Sequence, residues 1–412
     1  MVKFERFQLP NGLKVLVNED RSTSMVAINI LYDVGSRDEQ PDKTGFAHLF
    51  EHLMFGGSAN IESYDSAVQM VGGETNAFTS NDITNYYIVL PSDNIETGLW
   101  LESDRMLKLN FSEERLSNQQ NVVIEEYRQR YLNQPYGDVW LLLRPLAYKV
   151  HPYRWPTIGE RIEHIRDANL KDVEAFFYAH YAPNNAYMTL SGNINAEEAY
   201  PLVQKWFGDI ESRNIKPRSL PQEPPQTEPR KLSVTRKVPS DAMYKVWHVP
   251  ERINKQFYVC DMITDLLSSG RSARLYQTLV KEKKLFNEIN AFVSADVDPG
   301  LVILGGKVMD GITLDDAEAE VDIVLQGLID TPIQERELKK VKNRYESNLL
   351  MGQTNILNKA MDLSFYEMLG DADLLNQEID KYNSVKPSDI TQTASEIFKN
   401  ANSSTLYYLA EK

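Results

Sequence analysis

The stretch "ETNAFTSNDITNYYIVL", Glu74–Leu90, returns later as "EINAFVSADVDPGLVIL", Glu288–Leu304. At a constant offset of 214 residues, Glu, Asn, Ala, Phe, Ser, Asp, Ile, Val and Leu recur in register or in similar form. The same offset pairs Gly56, Ser58 and Ala59 with Gly270, Ser272 and Ala273, and Arg130 and Tyr131 with Arg344 and Tyr345. Three blocks at one offset imply a duplicated domain. Each copy joins strand-forming residues across a turn-forming "SND" or "SADVDPG", so each is expected to fold as a β-hairpin.

Between the copies lies "SRNIKPRSLPQEPPQTEPRK", Ser212–Lys231, with five prolines. Prolines at this density deny a helix its hydrogen bonds and a sheet its donors, so an extended linker is expected. The expected domains are residues 1–211, the linker 212–231, and a homologous domain 232–412. Within a half, alternating apolar stretches such as "MVAINILYDVGS" read as strands, and helical stretches follow. One of these, "SEERLSNQQNVVIEEYRQRYLN" (112–133), opens with Ser112 as a cap and Glu113 and Glu114 in the first turn. The fold class is therefore α+β: two homologous halves, each an antiparallel or mixed sheet packed with helices.

With 412 residues, 42% hydrophobic and 25% charged, the chain has the composition of a globular protein of more than one domain. It has no apolar run of transmembrane length. Glu5 and the short apolar runs of the N-terminus do not make a signal peptide, so a cytoplasmic chain is expected, or a periplasmic one had a leader been removed. A net charge of −15 argues against nucleic acid or an anionic membrane as partner. The single cysteine, Cys260, excludes an internal disulfide, and its apolar neighbours predict a buried thiol.

The chemistry concentrates in "HLFEHLMFGG", His48–Gly57, which takes two of the chain's six histidines. Positions i and i+4 share a helix face, so His48 and His52 can reach one ion together, with Glu51 beside them. Two imidazoles and a carboxylate suit an open catalytic zinc site, and an adjacent Glu suits a general base. A chance match to this five-residue pattern is expected at roughly 0.01 per chain of this composition. The bland alternative is a helix face whose histidines only hydrogen-bond in the core. A third ligand is best sought in "NVVIEEYRQR", where an apolar run ends at Glu125 and Glu126, although acids in such a place are usually solvated. His151, His164, His180 and His248 have no metal-type spacing and read as structural, and Asp315–Glu320 reads as a solvated acidic face.

At this point the chain resembles the pitrilysin-type family of zinc peptidases, which includes small bacterial members and the mitochondrial processing peptidase. "LPNGLKVLV", "GFAHLFEHLMFGGS", "NAFTSNDITNYY", "HPYRWPTIG" and "YAPNNAYMTLSGNI" stand in the family's order along the whole chain. The resemblance implies one zinc held by His48, His52 and Glu126, with Glu51 as the base that activates water. It implies that a peptide substrate adds as a strand along Asn76, Ala77, Phe78 and Thr79, whose alternative is to be ordinary hairpin residues.

Two departures stand out. Many relatives carry a further Glu seven residues before the third ligand, where this chain has Gln119, a neutral amide suited only to hydrogen-bonding around the site. In the second half the offset places Met262, Asp265, Leu266 and Lys340 opposite His48, Glu51, His52 and Glu126, so no second ion is expected there. Relatives also supply an Arg and a Tyr from that half, where this chain has Val280 and Asn287. Lys281 or Lys283 could stand in as the cation, and no tyrosine is at hand. The expectation is a zinc endopeptidase acting on short or unfolded peptides, partnered by a homologous subunit in a heterodimer or by a second copy. The rival is a non-catalytic binding subunit that keeps the fold, which would have no need of an intact ligand set.

Overall fold

In the computed structural model, which describes residues 1–411, both copies of the repeated stretch form an antiparallel hairpin at the end of a sheet. The first sheet is built from β1 (Glu5–Gln8), β2 (Lys14–Glu19), β3 (Met25–Tyr32), β4 (Glu74–Thr79), β5 (Thr84–Pro91) and β6 (Ala186–Gly192), in the order β1-β2-β6-β3-β5-β4. The second comprises β7 (Arg230–Arg236), β8 (Ala242–His248), β9 (Phe286–Val293), β10 (Leu301–Val308) and β11 (Ser403–Ala410), in the order β7-β11-β8-β10-β9. The duplication extends to strand direction. β2 with β6 and β7 with β11 are parallel, whereas β3 with β6 and β8 with β11 are antiparallel. Both sheets are mixed and packed with helices, giving two homologous α+β halves.

β3 is buried along nearly its whole length rather than on alternate residues. A strand covered on both faces has that pattern. One cover is the helix Ile356–Met368, which lies against β3 and β6. Its Ser364 accepts a hydrogen bond from Asn29 Nδ2 at 3.1 Å and shares one with Thr189 Oγ1 at 2.8 Å.

That helix comes from the second half of the sequence, and it corrects the expected domain boundaries. The first compact unit is Met1–Arg128, Trp155–Leu220 and Leu349–Gln377; the second is Gln129–Arg154, Pro221–Asn348 and the chain from Glu378 onward. The halves exchange helices. Val139–Ala147, from the first half, sets Val139, Leu143 and Ala147 on Val246, Leu301, Ile303 and Leu406 of the second sheet. In the other direction, Leu363 and Tyr366 join Val2 and Leu16 of the first unit. An apolar stripe at helical spacing demands a cover but does not say which sheet provides it. The proline-rich segment forms neither helix nor strand from Glu211 to Glu228, and one crossing between the units, Leu220 to Pro221, falls inside it.

Cys260 is a free, buried thiol, and its low-dielectric surroundings push its pKa up to about 12. The acidic run is a partial correction. Asp315 is exposed, but Glu318 is mostly covered and meets Lys245 at 3.0 Å and the Tyr407 hydroxyl at 2.7 Å. Among the described residues no helix is long and apolar enough to cross a membrane.

Candidate metal centre

The helix Phe46–Leu53 buries Phe46, Ala47, Leu49, Phe50 and Leu53, and this face fixes its orientation. Phe50 stacks on Tyr181 at 5.2 Å and lies against Phe176, also at 5.2 Å. His48, Glu51 and His52 are left on the half-open side. The helix starts at Gly45, whose φ of 89° is left-handed; a Cβ there would stand 2.6 Å from the carbonyl oxygen of Ile158. No capping side chain follows Gly45. Instead Glu39 turns inward and accepts hydrogen bonds from the N–H groups of Gly45 and Ala47, both at 2.9 Å. Burial pushes the Glu39 carboxyl well above the usual carboxylate range, opposed by those two bonds. At the other end Arg115 donates to the Gly56 carbonyl.

The third side chain arrives on the helix Glu113–Tyr127, started as expected by Ser112, whose Oγ accepts from the Arg115 N–H at 3.2 Å. Leu116, Val123, Ile124 and Tyr127 anchor it, and it gives way to a π-helical turn, Arg128–Leu132, rather than running on to Asn133. Of the two candidate acids, Glu125 is exposed and paired with Arg128. Glu126 faces the histidines, with its Oε2 3.7 Å from His48 Nε2 and 3.3 Å from His52 Nε2. The ligand atoms of all three lie within 4.8 Å of one another. The imidazole planes stand at 83°, so the rings converge rather than stack.

These residues fit a zinc ion. Ligand atoms about 2.1 Å from a tetrahedral ion are roughly 3.4 Å apart, close to the two spacings found. Three protein ligands also leave a fourth position open. Among the described residues no other group of three could hold a metal. In the second half Met262 and Leu266 belong to the apolar core, and Lys340 donates to Ser272 Oγ at 2.9 Å. Val280 packs on that core, and Asn287 Nδ2 donates to the Val308 carbonyl at 3.1 Å. His151, His164 and His248 have structural partners in Tyr153, Thr44 and Ala147 respectively.

β4 ends the first sheet, paired only with β5, and its exposure alternates along the strand. Asn76 and Phe78 are on the open face; Asn76 Oδ1 accepts from the Ala77 N–H at 2.9 Å. Thr79 is on the half-covered face, and its hydroxyl donates to Glu51 Oε2 at 2.6 Å. Gln119 lies beside Gly56, near the end of the His48 helix.

Sequence reasoning missed the buried charges around the site. Arg105 and Glu102 are both fully buried and paired, with Nε to Oε2 at 2.8 Å. Tyr64 donates to Glu102 at 2.6 Å, and Tyr64 and Tyr86 flank the guanidinium at 4.6 and 4.3 Å. The neighbouring Asp104 holds the turn after the His48 helix by accepting from the Asn60 N–H at 3.0 Å and from the Ser58 hydroxyl. The available signal was a polar run, "ESDR", directly after the apolar Leu99–Leu101 in the helix Ile95–Leu107.

Residues 14–157 match the family model described as insulinase (peptidase family M16), and residues 167–345 match the model described as peptidase M16 inactive domain. A zinc protease of Helicobacter pylori, PqqE, is 30% identical over 98% of this chain and 92% of its own length. An uncharacterized zinc protease of Bacillus subtilis, YmxG, is 25% identical over 96% of this chain and 95% of its own. The crystal structure of a protease from Helicobacter pylori superposes with a TM-score of 0.93 at 28% identity, covering 99% of this chain and all of that one.

Proposed function

Because the chain belongs to the insulinase-type peptidase family M16, we propose that it is a zinc-dependent endopeptidase acting on short or unfolded peptides. The observation that carries this reading is the convergence of His48, His52 and Glu126 beside Glu51. The three converging side chains would hold the ion, which when bound supplies Lewis acidity toward water and the scissile carbonyl.

The remaining steps belong to the chain. The open edge of β4, Asn76–Thr79, pairs with the peptide backbone as an added strand and presents one bond to the site. Glu51 accepts the proton of the attacking water and later delivers it to the leaving amine nitrogen. The "inactive" family description spans residues 167–345 and so includes Met262, Asp265, Leu266 and Lys340, in keeping with one ion per chain. With Val280 and Asn287 engaged in packing and backbone contacts, a homologous subunit would be the source of any further substrate-binding cation and phenol.

The test is cleavage of a quenched-fluorescent peptide library by zinc-loaded protein, beside Glu51→Gln and a zinc assay. Activity lost in Glu51→Gln at unchanged zinc content is the expected result. Zinc far below one per chain would overturn the reading. Full occupancy without cleavage would direct the search to the missing subunit.

A further inference from the structure

Thr79 is the last residue of β4, and its contact with Glu51 is held firmly from both sides. On the strand side, the turn after Thr79 is clamped by the loop Gly35–Arg37. Ser36 N–H donates to the Ser80 carbonyl at 3.2 Å, Arg37 N–H donates to the Asn81 carbonyl at 2.9 Å, and the Arg37 guanidinium meets Asp82 at 2.9 Å with both side chains almost completely buried. A Cβ on Gly35 would stand 2.5 Å from the Asn81 carbonyl carbon, so this approach needs glycine. On the helix side, the same loop runs on to Glu39, which caps the helix that carries Glu51. One short segment thus fixes the donor and the acceptor relative to each other.

We propose that Thr79 is a positioning residue, whose hydroxyl sets the orientation of the Glu51 carboxylate from within the strand that receives the substrate. This inference rests on the peptidase reading of the site. A threonine hydroxyl carries a single proton. Committed to Glu51 Oε2, that proton is not available to a peptide carbonyl, so Thr79 contributes to substrate pairing through its backbone alone. Its branched Cβ restricts χ1 and holds the hydroxyl ready.

The experiment compares wild type, Thr79→Val and Thr79→Ser, all zinc-loaded, and repeats Thr79→Val in a Glu51→Gln background. Thr79→Val is expected to lower kcat roughly ten- to hundredfold at nearly constant KM, the scale on which misplacement of a reacting group acts. Thr79→Ser restores kcat to within roughly threefold of wild type. Zinc content stays unchanged, and in the Glu51→Gln background Thr79→Val leaves peptide binding, read by fluorescence anisotropy, unaltered. A rise in KM matched by weaker binding in that background would overturn the proposal in favour of a substrate contact. So would an unchanged kcat, or a serine variant as slow as the valine one. If the wild type binds far less than one zinc per chain, the peptidase reading fails by itself. The crystal structure of Thr79→Val then decides this inference: a displaced Glu51 carboxylate upholds it, and one in its wild-type orientation overturns it.

Discussion

Lys359 Nζ meets Asp20 Oδ2 at 2.6 Å, joining residues 339 positions apart in sequence within one unit. The lysine belongs to the helix Ile356–Met368, which the second half of the sequence contributes to the first sheet. The hydrogen bond from Lys359, with help from Ser22, lowers the Asp20 pKa from 3.8 to about 2. A depressed carboxyl stabilises the fold when ionised, so its contribution is complete above the unfolded pKa. It is then lost as pH falls from about 4 to about 2. Asp20→Asn should therefore destabilise this unit by on the order of 2 kcal/mol at pH 7 and by far less at pH 2. Hydrogen exchange of the Ile356–Met368 amides at the two pH values measures the difference. An equal effect at both would show that the pair contributes by packing alone.

Glu39 permits a second test. Glu39→Ala leaves the buried N–H groups of Gly45 and Ala47 without their acceptor, at about 1–3 kcal/mol for each group stranded. Glu39→Gln keeps one acceptor, so its melting temperature should lie between those of Glu39→Ala and wild type. The order is read from thermal unfolding of zinc-free protein, which separates the cap from any effect of the ion.

Zinc binding should itself raise the melting temperature, since a ligand at a thousandfold excess over its Kd stabilises by about 4 kcal/mol. His48→Ala and Glu126→Gln should abolish most of that shift, and chelation should remove it from the wild type. Glu51→Gln should retain it. Equal shifts in all variants would place the bound zinc elsewhere.

The Arg105–Glu102 pair makes an opposite kind of prediction. Arg105→Met strands a fully buried carboxylate and should cost about 3–5 kcal/mol. Arg105→Met combined with Glu102→Leu should recover much of that loss, because an ion pair replaced as a unit by apolar residues is often nearly neutral. Urea unfolding of the single and double variants provides the comparison.

Much of this was legible in the sequence. The hairpin repeat predicted two sheets of like topology, and the four-residue spacing of the histidines predicted the convergence of His48 and His52. The choice of Glu126 over Glu125 was legible only through family resemblance, since two adjacent acids at the end of an apolar stripe differ in nothing that periodicity can register. The geometry separates them: one faces the imidazoles and the other pairs with Arg128. Glu39 and Arg37 were not legible, because charged residues ahead of a helix ordinarily face water. Thr79 stood in the sequence as one of four strand residues, and only the contact with Glu51 distinguishes it. The helix exchange was illegible for a different reason. The stripe of Val139, Leu143 and Ala147 would serve equally well against either of two similar sheets.

That exchange also determines what can be taken apart. The linker between Ser212 and Lys231 looks like the natural place to cut the gene in two, but each resulting fragment would carry one helix that belongs to the other fragment's sheet. A fragment made alone would leave part of one sheet face bare, around Leu16 in the first case and Val246 in the second. The repeat therefore records two halves that were once alike, whereas the packing describes halves that can no longer be separated. A break in the linker would yield two interlocked pieces rather than two independent domains.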